Sequence, residues 1–429
     1  MRTRVIALGL VVGCYHSNFE ANVPCASDLS CPGAQVCDTT HVPPVCVGEL
    51  GSNSSRPDAK LVPMDAAVTA CGVCPSDQPI CDSTSTTCRG CYQDAECSSQ
   101  VCSESTGLCI PEAQTLYVKI GGDDTSQCTH DAPCATVSRA VTLVDTTRNV
   151  IKIYDGNYND SWTSSASYLL SGEGNSTSNA YISYRDFANH DHVLETDGGT
   201  VVVEGVGLDG GKAETVRAQG GAALTLVWVE VAHSPLGGID AAGSEVTLYG
   251  VDIHDNMGSE AAVNVSNGQL TMLRSLVYSV GGACVRVSNA KYDVENSMLA
   301  GCASEGFAQV GGQTPNPAVF AFNTVASSST GVTCTAPITV KNTIFANNGT
   351  PPQTPTCATA TYSLYSDVAV PGTGNIAGDP RFVAANDLHI NFASPARDKA
   401  DPQSTQNEDF DGDVRPHGQG FDIGADEHY

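Results

Sequence analysis

The sequence predicts an all-β fold, a parallel solenoid preceded by a small disulfide-rich region, and three observations carry that expectation. First, one pattern returns six times between Leu224 and Asn348. It reads LTLVWVEVAHS from Leu224, VTLYGVDIHDN from Val246, LTMLRSLVYSV from Leu270, YDVENSMLAGC from Tyr292, VFAFNTVASSS from Val319 and ITVKNTIFANN from Ile338, with starts 22, 24, 22, 27 and 19 residues apart. A recurring period of this length marks a repeat array. Second, each copy opens with two apolar residues separated by one position, which is strand alternation. Third, 12 of the 19 cysteines crowd into residues 25–109, where aliphatic residues are too few for a core.

One such unit cannot bury its apolar face alone. Stacking copies about 4.8 Å apart pairs every backbone group and builds a continuous core. A strand, a tight corner and a second strand in one period suit a coil of parallel β-helix; the fixed Leu and Asn spacing of a leucine-rich repeat is absent. The corner position holds Trp228, Gly250, Arg274, Asn296, Asn323 and Asn342, so the three Asn are expected to stack as a ladder, Asn being tolerant of left-handed backbone. Alternation points Val231, Ile253, Val277, Leu299 and Phe345 inward. The preceding residues, Glu230, Asp252, Leu276, Met298, Val325 and Ile344, then point outward. This column turns from acidic to apolar, and its apolar part needs a cover, either a later segment or a partner.

Taken in order, the chain opens with MRTR and VIALGLVV, a basic start and an apolar run too short to span a bilayer. Residues 1–13 read as a signal peptide. The following VVGC resembles a bacterial lipobox, which implies cleavage before Cys14 and lipidation of its thiol. Tyr15 stands where Asp would retain a lipoprotein at the inner membrane, so an outer-membrane, cell-surface location is expected. Removing Cys14 leaves 18 cysteines, an even number suited to disulfides in an exported protein. Cys25, Cys31, Cys37 and Cys46 fall in a Cys-rich segment, 14–46. Residues 47–70 read as a linker. Cys71, Cys74, Cys81, Cys88, Cys91, Cys97, Cys102 and Cys109 fall in a second Cys-rich module, 71–112. Each group of four allows three pairings. The CGVC and CRGC pairs offer zinc as the competing reading, against which stand the scarcity of His there and the export signal. The region resembles the Cys-rich stalk repeats of bacterial surface lipoproteins.

Residues 113–160 change character. LYVKI is a strand, Thr136 to Val144 a short helix with Val137, Ala140, Val141 and Val144 on one face, and Val150 to Tyr154 a strand. Cys128 and Cys134 bracket the loop and are expected to pair. The order of strand, Gly-Asp loop, Pro, Ala-Thr helix, strand and Asp-Gly-x-Tyr resembles the start of pectin-lyase-like right-handed parallel β-helix proteins, and the resemblance implies that the helix covers the open end of the stack. Coils follow over 161–376, beginning with strands at Ala180 to Tyr184 and Thr200 to Glu204, and including Cys284, Cys302, Cys334 and Cys357. The last stretch, 377–429, carries Asp379, Pro380 and Phe382; Asp387, His389 and Ile390; Ser394, Pro395, Ala396 and Asp398; Asp409, Asp411, Gly412, Arg415 and Pro416; and Asp422, Ile423, Gly424, Ala425 and Glu427. This resembles the C-terminal segment of choice-of-anchor Q β-helix proteins, with Ile390 in place of the usual Leu and Lys399-Ala400 in place of Ala-Gly. That family name concerns membrane attachment and names no activity.

Net charge is −27, from 20 basic and 47 acidic residues, which excludes a basic nucleic-acid footprint. Glu230 and Asp252 share a slot in successive copies, with His254 and Asp255 beside the second and Arg274 at the next corner. Two such carboxylates suit glycoside hydrolysis. A lyase would use acidic residues to hold Ca²⁺ and an Arg or Lys as base. The same residues also make an ordinary solvated face. Asp409, Asp411 and Asp413 in DFDGD offer alternating carboxylates for Ca²⁺, or an Asx-turn network that fixes the tail with Arg415 as ion-pair partner. The expected role is therefore a surface-displayed module that engages polysaccharide or a cell-surface glycan and requires no cofactor, Ca²⁺ being the one candidate. The alternatives are a β-helix lyase or hydrolase, and a passive spacer.

Overall fold

The computed structural model describes residues 71, 74–82, 87–172, 180–184, 191–311, 318–349, 356–368 and 370–429, together with the backbone of three short strands nearer the start. The leader, Cys14 and the side chains of Cys25, Cys31, Cys37 and Cys46 lie outside the described residues. Two units are distinguished, residues 1–65 and 66–429. In the first, Val23–Pro24, Val36–Asp38 and Val45–Val47 form an antiparallel sheet with Val45–Val47 in the middle and Cys37 opposite Cys46.

The second unit is dominated by a parallel β-helix. Its first sheet has eleven strands, from Thr115–Val118 to Ala358–Thr361; its second has eleven, from Gly156–Asn159 to Ile376–Ala377; its third has eight, from Trp162–Ser164 to Thr330–Cys334. The chain visits the sheets in rotation and completes eight three-strand turns among the described residues, beginning with Val150–Ile153. Single left-handed residues make the corners. Between the first and second sheets these are Gly205, Trp228, Gly250, Arg274, Asn296, Phe322, Asn342 and Tyr362, with φ from 45° to 62°. Inward positions of the second sheet, from Ile182 and Leu208 through Val231, Ile253, Val277, Leu299, Val325 and Phe345, are fully buried. The strands expected at Ala180–Tyr184 and Thr200–Glu204 are present with those bounds.

The fifth copy of the repeat sits one residue earlier than the sequence pattern suggests, since Ala318 pairs with Tyr292. A one-residue slip exchanges faces. Val325 is therefore inward, and Thr324 takes the outward place. The expected Asn ladder is corrected for the same reason: Phe322, not Asn323, occupies the corner. Asn323 lies one step on, where its Oδ1 accepts from the Ser297 amide and its Nδ2 donates to Val294 O. Asn296 and Asn342 reach outward instead.

Both ends of the register are managed. At the start, the loop after Thr115–Val118 folds back, with Tyr117 N donating to Cys128 O and Cys134 N to Tyr117 O, and Cys128 pairs with Cys134. This satisfies the free edge of the first sheet. The helix Val137–Val141, capped by the Thr136 side chain, is shorter than expected and buries Val137 and Ala140. At the other end, residues 378–429 lie on the outer face of the second sheet. Ile423, Ala425, Leu388 and Ile390 pack against Met298, Phe322, Ile344 and Leu364. A later segment is thus the cover that the apolar column required. Arg415 and Glu427, 3.3 Å apart and both fully buried, pin it; the guanidinium also donates to Asp422 O and Gly424 O and lies over the Phe322 ring.

The cysteines of residues 71–109 pair first to third and second to fourth in each group of four: Cys71–Cys81 and Cys74–Cys88, then Cys91–Cys102 and Cys97–Cys109. Neither CxxC pair closes on itself or is free for zinc. Cys284–Cys302 and Cys334–Cys357 staple the solenoid. The second module docks on the first sheet. Buried Lys152 donates to Asp94 and to Gly172 O, while buried Glu204 accepts from the Glu104 and Ser105 amides. No described helix is long and apolar enough to cross a membrane.

Candidate functional site

The second sheet presents two outward columns. In the first, Tyr181, Gly207, Glu230, Asp252 and Leu276 are successive register partners; in the second, Asp209, Ala232, His254 and Tyr278 are. Turns 2 to 6 of this face hold the polar residues, and the C-terminal cover packs on the turns from Leu276 onward. Glu230 and Asp252 lie directly opposite on adjacent strands, so their backbones are about 4.8 Å apart.

Glycine makes the N-terminal wall. A Cβ on Gly207 would fall 2.2 Å from the Tyr181 ring, so only glycine lets that ring lie across the turn and place its hydroxyl on Glu230 Oε1 at 2.8 Å. His254 Nε2 stands 3.1 Å from the same oxygen, and its Nδ1 3.0 Å from Asp255 Oδ2. The imidazole stacks on Tyr278 at 5.0 Å. On the next corner, His233 meets buried Asp209 at 2.6 Å and sets its ring edge to face against His254 at 5.9 Å.

These contacts drive the two carboxyls apart. Burial, then the charges of Glu230 and Asp255, outweigh His254 and push Asp252 up to about 7; its Oδ1 is buried without a hydrogen-bond partner. Burial raises Glu230 as well, but the hydrogen bonds from His254 and Tyr181 overcome it and hold this carboxyl below its ordinary value. Burial opposes charge on His254, yet Glu230, Asp252 and Asp255 together raise it to about 9. The result is an acid that keeps its proton up to about pH 7 beside a carboxyl held below its ordinary value, with an imidazolium between Glu230 and Asp255.

Four of the five residues singled out by sequence thus converge. Arg274 does not join them. Its guanidinium donates to Phe410 O at 3.0 Å and Tyr249 Oη at 2.6 Å, faces Glu408 at 3.6 Å and sits over Trp228. Sequence reasoning missed Tyr181, Asp209 and Tyr278. Tyr181 falls in the irregular stretch before the clear repeats, and its link to Glu230 spans two turns; the small residue at Gly207 was the available signal.

In the tail, buried Asp409 accepts backbone N–H groups from Asp411 and Asp413 on one oxygen and from Glu427 on the other, which is an Asx network. Asp411 turns to His389 Nε2 at 2.9 Å, and His389, Asp411 and Asp426 bring potential ligand atoms within 4.8 Å of one another. Asp413 is raised by burial and by Asp409.

No protein-family model matches this chain, and no curated protein matches it. Among solved structures it is similar to the pectate lyase Pel9A, with TM-score 0.49 and 12% identity over 75% of this chain and 98% of that one. It is similar also to XylC in complex with xylose, with TM-score 0.28 and 9% identity over 63% and 87%. Such likenesses concern the course of the backbone; the chemistry rests on the side chains of the second sheet.

Proposed function

We propose that this is an exported glycan-acting β-helix in which Asp252 and Glu230 hydrolyse a glycosidic bond with retention. The observation that supports it is the split pair: two carboxyls in register on adjacent turns, one raised to about 7 and one held below its ordinary value. Strand spacing of about 4.8 Å is close to the 5–5.5 Å between carboxyls that retention uses. Asp252 donates its proton to the glycosidic oxygen as the C–O bond breaks, and Glu230 attacks the anomeric carbon to form a glycosyl ester. Water then displaces Glu230, giving its proton to the Asp252 carboxylate. Tyr181 and His254 hold Glu230 in place and keep it ionised. A lyase is less well served, because elimination beside a uronate needs a cation at its carboxylate, and Arg274 is engaged by the tail.

A second reading is binding without cleavage, favoured by the flat sheet face and the burial of Asp252 Oδ1. Incubating the protein with a glycan panel, with and without chelator, separates the two. New reducing ends that disappear in Glu230→Gln and Asp252→Asn are expected. Binding with no new ends on any glycan sinks the hydrolytic reading, and neither binding nor ends leaves a spacer. The proposed location is the outer membrane, through a lipid on Cys14, for a β-helix protein of the choice-of-anchor Q type. The VVGC motif supports the lipid, and the seven disulfides among the described residues support export. Cys14→Ala is expected to abolish fatty-acid labelling; retained labelling would contradict it.

A further inference from the structure

We infer that the glycan gripped by this face is a neutral polysaccharide, free of carboxylate and sulfate groups. The inference rests on the glycan reading above and adds the substrate class. No strand of the second sheet from Ala180–Tyr184 to Leu276–Val280 contains Lys or Arg. Three cations of the described residues beside this face are engaged. His254 lies between Glu230 and Asp255, and Arg274 is held by Phe410 O, Tyr249 and Glu408. Lys212, at the rim, pairs with Asp191 at 3.2 Å. Among the described residues, a uronate on this face would therefore sit beside Glu230 and Asp255 with no Lys or Arg from the same strands to pair with it. The field of a chain carrying −27 adds to that repulsion at low salt.

What the face offers instead suits hydroxyls and apolar sugar edges. His233, oriented by Asp209, is exposed at the corner, and Tyr278 stacks with His254 to give an amphipathic aromatic surface. These are contacts for a chain of hydroxyl groups and C–H faces.

The decisive comparison changes charge alone. Polygalacturonate, polymannuronate and hyaluronate would each be tested beside their carboxyl-reduced forms, using the detergent-purified full chain. Affinity would be read by titration calorimetry, and cleavage by reducing ends. At least one reduced chain is expected to bind about tenfold or more tighter than its parent at about 0.01 M salt, with the gap narrowing toward about 1 M as screening sets in. Glu230→Gln should shrink the gap. Equal or tighter binding of a parent polyuronate, or its cleavage, overturns the neutral-substrate inference while sparing glycan engagement. Binding of reduced chains without cleavage supports the inference and removes the hydrolytic reading. Failure of every chain, reduced or not, overturns both.

Discussion

The outer face of the second sheet has two halves built on one backbone. In turns 2 to 5 its first column reads Tyr181, Gly207, Glu230 and Asp252 and is held by side-chain hydrogen bonds. From Met298 onward the same column is Thr324, Ile344 and Leu364, and residues 378–429 cover it. Strand spacing, corners and register are continuous across the boundary. What differs is the free energy of exposing the side chains: an apolar column gains about 25 cal/mol for each Å² taken from water, whereas a carboxylate column loses its hydration on being covered. The solenoid is thus a neutral scaffold, and one column of side chains decides which part becomes core and which part becomes surface.

The strongest way to break the comparison is to unpin the cover. Arg415→Met leaves the Glu427 carboxyl without its guanidinium and two carbonyls without donors, at an expected cost of about 3–5 kcal/mol. Hydrogen exchange should then rise in residues 378–429 first; unchanged protection there would refute the pinning role. Ile344→Ala, beneath the same cover, should cost about 3 kcal/mol in denaturant melts.

The polar half should respond in the opposite sense. Asp252→Leu extends the apolar column back by one turn and removes a buried carboxyl oxygen that has no partner. Stability is expected to increase by about 1–2 kcal/mol while cleavage is lost. A destabilised variant would mean that Asp252 has a structural partner after all.

The pH dependence sharpens the same contrast. Asp252 at about 7 and His254 at about 9 are both raised above their unfolded values, so each favours the folded state most at low pH. The Asp252 contribution fades as pH climbs from the ordinary carboxylate range through about 7, and that of His254 fades from about 6.5 through about 9. Activity should fall above about pH 7 as the acid deprotonates, and the Asp252→Glu variant should move that limb. A flat profile from pH 6 to 9 (roughly the span of both groups) would argue against Asp252 as the acid. The smallest expected effect is Tyr181→Phe, which removes one hydrogen bond to Glu230 and should cost about 1 kcal/mol in kcat/KM; Gly207→Ala should cost at least as much by displacing the ring.

Much of this was legible in the sequence because a solenoid writes its core locally. Every turn repeats the same alternation, so the inward residues Val231, Ile253, Val277, Leu299 and Phe345 and the acidic-to-apolar column could be read without knowing which strands meet. The grouping of Glu230, Asp252, His254 and Asp255 followed, since register partners in a parallel stack are one period apart. The exception was the fifth copy, where VFAF offers two apolar phases, and the pairing of Ala318 with Tyr292 chose the other.

The sequence by itself therefore determined the solenoid, its cysteine-rich preface and the acidic pair, because these depend on short-range periodicity and composition. The tertiary structure alone decided three matters: that the tail covers the apolar column, that Arg274 serves the tail rather than the site, and that the cysteines of residues 71–109 pair first to third and second to fourth in each group of four. Each depends on which distant segments meet. Burial and neighbouring charge, which separate Asp252 from Glu230, exist only once those segments have met.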